Sequence, residues 1–326
     1  MPKQAVLLLA HGTPETVDQI PEYLRNVVSG RPVPQPVVEE IQHRYALIGR
    51  SPLTEITMEQ ARLIQAELAQ SNLAAGRDPV PVYVGMRNWR PYIPEVVRRM
   101  AADGVEEAAV ICMAPQNSRT SVGLYRRAVQ AEAAGLRIDF TEDWAQHPLL
   151  ADAFAERLRP AWQKLCAEAG QPVPVLFTAH SVPTRTVEPP AAGATGGPRL
   201  WPGEGADPYA GQARYTAELV AARVPEIPRW WFAFQSQGAS GGPWLGPTVE
   251  ETLNSISETG CKFLILQPIG FLCDHVEILF DVDRLFHEHA ARLGIRLARP
   301  ESLNASPTLA KAVADLARKG LARLRN

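Results

Sequence analysis

Short apolar runs alternate with longer amphipathic stretches along the whole chain. AVLLLAHG (5–12) is apolar almost throughout and stops at Gly12. A run of this kind reads as a strand buried on both faces. Similar runs occur at 80–86, 106–115 and 136–143, and segments with helical spacing fall at about 16–28, 36–48, 54–70, 91–104 and 121–134. The rhythm then restarts. Strands are predicted at 173–180, 229–236 and 262–270, and helices over 148–169, 208–223, 247–258, 274–294 and 306–324. Strands that alternate with helices predict parallel sheets covered on both faces.

The restart has a local signature. LLLAHGTP (7–14) and LFTAHSVP (176–183) share Leu, Ala, His and Pro in register, each at the end of an apolar strand. MAPQNS (113–118) and LQPIGF (266–271) likewise follow buried strands with a Pro-containing turn. The expected fold is therefore α/β, with two similar Rossmann-like domains, each a parallel sheet flanked by helices. The expected domains are 1–145 and 146–326, with the carboxyl-terminal helix packing back and the site in the cleft between the two. Residues 184–207 are rich in Pro, Gly and Ala and have neither period, so they read as a long loop or lid.

Composition narrows the function by exclusion. Basic and acidic residues nearly balance, 33 against 35, so nothing favours a phosphate backbone and no nucleic-acid partner is expected. The four cysteines, Cys112, Cys166, Cys261 and Cys273, form no CxxC pair, which fits a reducing cytoplasm. The first apolar run is too short for a signal peptide, and no stretch approaches the roughly 18 apolar residues of a spanning helix.

The candidate chemistry lies at strand ends. In open parallel sheets ligands bind beyond the carboxyl ends of the strands, where the sequence places His11 and His180. A histidine there can accept a proton near neutral pH or ligate a metal. The helix expected after Gly270 carries Glu277 and Asp281 four residues apart, on one face, with His275 beside them and Asp274 as an expected N-cap. Two like charges so placed repel, and a cation or transferring protons would relieve them. Other chemistries lack their signatures. HGTPET, not GxGxxG, follows the first strand, no GxxxxGK[ST] occurs, AHSVP is not a GxSxG elbow, and HEHA is not HExxH.

At these residues the chain resembles the ferrochelatase family. LLLAHGTP resembles its first-strand motif and HRYALIGRSPLTEIT (43–57) its RY-x-x-IGG-SPL segment, with Arg50 at the second Gly. VYVGMRNWRPYI (82–93) resembles its GM-[RK] segment, and LFTAHSVP its signature around the catalytic histidine. FQSQGASGGPWLGP (234–247) and PIGFLCDHVEILFDVD (268–283) are the most specific matches.

The resemblance implies a chelatase-like fold and insertion of Fe²⁺ into a porphyrin, with release of the pyrrole protons. It implies His180 as the catalytic histidine and Glu277 as its acidic partner. His180, Glu277 and Asp281 would contact the metal, which is substrate rather than cofactor. No organic cofactor is expected, and the scattered cysteines do not reproduce an iron–sulfur pattern. Arg44, Ser51 and Tyr125 resemble propionate-contacting residues of the coproporphyrin-using form, and Arg87 would attract the same acids. His11 stands where that form commonly has a tyrosine facing the metal. The reaction also needs an apolar slot, for which Ile111–Ala114, Trp230 and Leu272 are candidates. A monomer is expected, with peripheral contact to a membrane or another haem-pathway enzyme as the remaining partner expectation. Val28 and Ser29 replace a basic pair of the family, and Leu285 replaces an acid beyond Asp281. The competing readings are a cobalt or nickel tetrapyrrole chelatase and a non-catalytic haem carrier with His11 as axial ligand.

Overall fold

The computed structural model of the chain describes residues 2–74, 76, 78–187, 207–237 and 242–325. Two compact units emerge. The first comprises residues 1–115, 121–144 and 304–326, and the second 116–120 and 145–303.

The strands are β1 (Gln4–Ala10), β2 (Val82–Met86), β3 (Glu107–Cys112), β4 (Arg137–Thr141), β5 (Val175–His180), β6 (Trp230–Gln235), β7 (Phe263–Pro268) and β8 (Arg296–Ala298). The α-helices are α1 (Ile20–Val27), α2 (Gln35–Ile48), α3 (Leu53–Ala74), α4 (Ile93–Ala102), α5 (Val122–Gln130), α6 (Pro148–Ala169), α7 (Thr184–Val187), α8 (Tyr209–Ala221), α9 (Val249–Glu258), α10 (His287–Arg292) and α11 (Pro307–Arg325).

In the first unit the sheet order is β2-β1-β3-β4; in the second it is β6-β5-β7-β8, and every pairing is parallel. Each β2/β6 neighbour lies on one side of the first strand and each β3/β7 neighbour on the other. The chain thus changes direction across β1 and across β5, and such a switch point opens a crevice at the strands' carboxyl ends. The strand sequences explain their position. β3 is EAAVIC and buried throughout, and β1 is buried at all but its first residue, as strands covered on both faces require. In the first unit Leu7, Leu9, Val110 and Cys112 pack against Val97 and Met100 of α4 and Val122 and Val129 of α5. The second unit repeats this with Leu176, Leu264 and Leu266 against Leu253 and Ile256 of α9.

Local signals set the helix starts. Thr248 Oγ1 accepts the Glu251 N–H at 3.1 Å and Glu251 Oε2 accepts the Thr248 N–H at 2.8 Å, so a reciprocal cap opens α9.

Several expectations are corrected. The halves 1–145 and 146–326 assign the last helix to the second domain. The structure packs α11 on α3, β3 and β4 of the first unit, with Ala310, Ala314 and Ala317 buried. Arg323 fastens it there by bidentate hydrogen bonds to Asp139 at 2.6 and 2.7 Å. The helix expected over 274–294 is not one α-helix: Glu277–Phe286 winds as a π-helix and only His287–Arg292 is α. The expected loop 184–207 begins with the short helix α7, and its residues 188–206 lie outside the described residues.

Candidate active site

The second unit builds a base beside an acid. His180 ends β5, next to Gln235, which ends β6. The ring Nδ1 of His180 lies in a short hydrogen bond to the Ser181 carbonyl. A carbonyl only accepts, so Nδ1 carries the proton and the neutral ring leaves Nε2 as a base. Nε2 faces Glu277 Oε2 at 3.5 Å. The backbone is held as well: Tyr209, buried at the start of α8, donates its hydroxyl to the His180 carbonyl at 2.8 Å. Burial alone depresses the imidazole, but the Glu277 carboxylate, the Ser181 carbonyl and the Asp281 charge together outweigh it. The His180 pKa stands above its ordinary value.

Around this pair the π-helix and the turn before it supply the remaining groups. Phe271 stands edge-on to His180, ring centroids 6.1 Å apart, and lies 4.3 Å from the His275 ring. Gly270 makes that approach feasible, because a Cβ there would come within 3.0 Å of Ala179 Cβ and 3.1 Å of its Cα. His275 is buried, its Nδ1 bonded to the Cys273 carbonyl at 3.0 Å and its Nε2 4.0 Å from Glu277 Oε2. Burial pulls its pKa down, so it favours the neutral ring. Asp281 is buried and accepts the Ser236 hydroxyl at 2.5 Å. Ser236 holds φ at +60°, an uncommon conformation for a residue with a side chain.

The first unit presents a different set. His11 follows β1, and its Nε2 lies 2.8 Å from the Tyr23 hydroxyl and 3.0 Å from the Asn88 side-chain amide. Gly12, at φ +77°, turns the chain immediately after it. Arg87 follows β2 and sits over the Tyr125 ring, 5.6 Å from its centroid. Tyr125 is buried, which pushes its phenol up. The Arg87 Nε and the buried Ser51 Oγ have no hydrogen-bond partner among the described residues. A cavity of about 390 Å³ is lined by Arg25, Asn26, Arg87, Tyr92 and Ile93 among others. Arg44 bonds its Nε to Glu40 Oε1 at 2.8 Å.

The geometry thus joins His180 with Glu277, and Arg87 with Tyr125. Asp274 is not an N-cap: its carboxylate accepts the Ser302 hydroxyl at 2.7 Å and meets Arg299 at 3.3 Å. Trp230 opens β6, about 16 Å by strand rise from that strand's carboxyl end. It packs on Phe177 in the core and is no wall of the site. Sequence reasoning missed Ser236, Tyr209 and Phe271. Ser236 and Phe271 lay inside quoted motifs and Tyr209 outside them, and only the fold shows which of their atoms turn to the histidine and the acids. Among the described residues no group of three or more His, Cys, Asp or Glu side chains is disposed to hold a metal ion. None of their helices is long and apolar enough to cross a membrane.

Two four-stranded parallel sheets flanked by helices, one ending in a histidine that faces an acid, give the chain a fold shared with chelatases. The sirohydrochlorin chelatase SirB of Bacillus subtilis subspecies spizizenii, solved in complex with cobalt, superposes with a TM-score of 0.55 over 97% of this chain and 94% of its own, at 11% identity. The ferrochelatase family model matches residues 3–321, and the chain belongs to that family. A ferrochelatase of Acidobacterium capsulatum is 57% identical over 325 residues, 99% of this chain and 96% of the relative. A protein of Mycolicibacterium vanbaalenii named coproporphyrin III ferrochelatase is 34% identical over 97% of this chain and 89% of the relative. The chain is thus an enzyme of metal insertion into a porphyrin to make haem.

Proposed function

We propose that this enzyme inserts Fe²⁺ into coproporphyrin III in preference to protoporphyrin IX, with His180 as proton acceptor and Glu277 as its partner. The observation that carries the chemistry is the His180 Nε2–Glu277 Oε2 pair at 3.5 Å, with the opposite ring nitrogen committed to the Ser181 carbonyl. Metallation exchanges two pyrrole protons for one dication. Nε2 takes the two pyrrole protons one after the other; each time the imidazolium is stabilised by Glu277 and the proton leaves through the carboxylate toward solvent before the next is taken. His275 keeps one more imidazole beside the same carboxylate without adding a second positive charge. Asp281 adds negative charge, which favours both the imidazolium and an arriving cation. Both carboxylates offer the oxygen donors a divalent cation takes in transit. The reading needs no organic cofactor, because iron enters as substrate.

The porphyrin preference rests on the first unit. Coproporphyrin carries more propionates than protoporphyrin, and each asks for a polar anchor. Arg87 with its unpartnered Nε, the buried Ser51 hydroxyl and Tyr125 supply such anchors there. Arg44 would join them by exchanging Glu40 for a propionate. A relative that bears the coproporphyrin name supports the same direction. His11 serves as a polar neighbour to the porphyrin in this reading. As an axial ligand it would have to release the Tyr23 hydroxyl, which disfavours the haem-carrier alternative. Free thiols at all four cysteines support a cytoplasmic setting.

The test is metallation followed anaerobically by absorbance with each porphyrin and Fe²⁺. A kcat/KM about tenfold higher for coproporphyrin III is expected, since each lost charged contact costs about 1.4 kcal/mol or more. Equal rates or a protoporphyrin preference would overturn the assignment.

A further inference from the structure

The acid that faces His180 stands on a π-helix, and one largely withdrawn arginine ties down that helix and the turn before it. Arg299, just past β8, donates Nε and Nη2 to the two carboxylate oxygens of Asp283 at 2.6 and 2.8 Å. Its Nη1 donates to the Pro300 carbonyl at 3.1 Å and to Ser302 Oγ at 3.2 Å, and lies 3.3 Å from Asp274. Ser302 in turn donates to Asp274 at 2.7 Å. Only 12% of the Arg299 side chain is exposed, so this fork is largely withdrawn from water. Asp274 precedes Glu277 and Asp283 follows it, so the two fixed points bracket the catalytic stretch.

Asp274 lies in the non-helical turn that leads into the π-helix, Asp283 lies within that helix, and Glu277 is its first residue. A bidentate arginine is a rigid fork, so holding both acids fixes how the helix leaves the turn and where Glu277 stands relative to His180.

We propose that Arg299 is a positioning residue: through Asp274 and Asp283 it holds the π-helix and the turn before it in the placement that aims Glu277 at His180. The inference rests on the reading of Glu277 as the partner of His180. The purified full chain tests it by a double-mutant cycle between Arg299→Met and Glu277→Gln, assayed with Fe²⁺ and the porphyrin the wild type turns over faster. Arg299→Met is expected to lower kcat about tenfold or more, since small misplacements of catalytic groups are costly. KM for the porphyrin should stay within about twofold, and Arg299→Lys should recover part of the loss. In the Glu277→Gln background Arg299→Met should cost little more, because it acts through that carboxylate. A folded Arg299→Met enzyme with wild-type kcat, beside an impaired Glu277→Gln enzyme, overturns the clamp alone. So does a loss that is fully additive. A Glu277→Gln enzyme with wild-type kcat overturns the underlying reading and the clamp with it. If Arg299→Met does not fold, Asp283→Asn removes the same bidentate contact and is read by the same criteria.

Discussion

The two units wind their strands in the same order, yet the histidines at the ends of β1 and β5 have unlike surroundings. His11 turns Nε2 to the neutral Tyr23 hydroxyl and Asn88 amide, whereas His180 turns Nε2 to the Glu277 carboxylate. Nothing in the strand topology makes this difference. It comes from the elements beside each strand end: α1, after β1, brings Tyr23 in the first unit, and the π-helix, after the neighbouring strand β7, brings Glu277 in the second. A repeated fold supplies two equivalent positions at switch points, and the partner of each imidazole decides which one is a base.

The largest test of that contrast removes each ring. His180→Ala should lower kcat by about a thousandfold while the protein keeps its fold, the scale of a lost general base. His11→Ala should cost less than about tenfold in the same assay, because its ring nitrogen is already bonded within the unit. Comparable losses at both positions, measured by anaerobic absorbance, would break the comparison.

The next test removes the partner instead of the ring. His180 must be neutral to accept a proton, and its pKa lies above 6.5, so the acid limb of the kcat/KM profile should lie above that pH. Glu277→Gln takes away the largest raising influence and leaves burial, which lowers the pKa. The acid limb should therefore move to lower pH, together with a fall in kcat of about a hundredfold. Stability should follow the same linkage. A raised histidine pKa contributes stability that is fully present below its unfolded value and fades as pH rises through the folded one. Urea midpoints of the wild type should thus fall across that window more than those of Glu277→Gln.

How much of this could be read from residues alone varies with the range of the interaction that fixes it. The strand-end placement of His180 and His11 was legible because a buried parallel strand is a continuous apolar run that stops sharply. Glu277 was legible from its place after the β7 turn. The π winding was not, because ten residues of mixed apolar and charged character fit a 3.6 spacing about as well as a wider one. β8 is only three residues long, too short to show a period. That α11 packs back was expected, but the surface it packs on was not legible, because its alanine-rich face suits many sheets and only its contacts with α3, β3 and β4 select one. Ser236 was invisible as a partner of Asp281 because neither a serine hydroxyl nor φ +60° leaves a pattern in the sequence.

The smallest effect concerns the two glycines that let each histidine sit where it does. A Cβ at Gly12 would lie 2.8 Å from Met86 Cβ and 3.0 Å from the Trp89 backbone nitrogen, on a backbone at φ +77°. A Cβ at Gly270 would meet Ala179 at 3.0 and 3.1 Å, with no left-handed backbone to add to it. Overpacking costs about 1–3 kcal/mol, and a left-handed non-glycine residue about 1–2 more. Gly12→Ala should therefore destabilise by about 3 kcal/mol and Gly270→Ala by about 2 in urea titrations. Activity should invert that order. Gly270→Ala presses on the backbone of Ala179 and His180 and on the turn that carries Phe271, so it should lower kcat more than Gly12→Ala does. A variant pair in which stability and kcat fall in the same order would show that the two strand ends contribute alike, and the contrast between them would be lost.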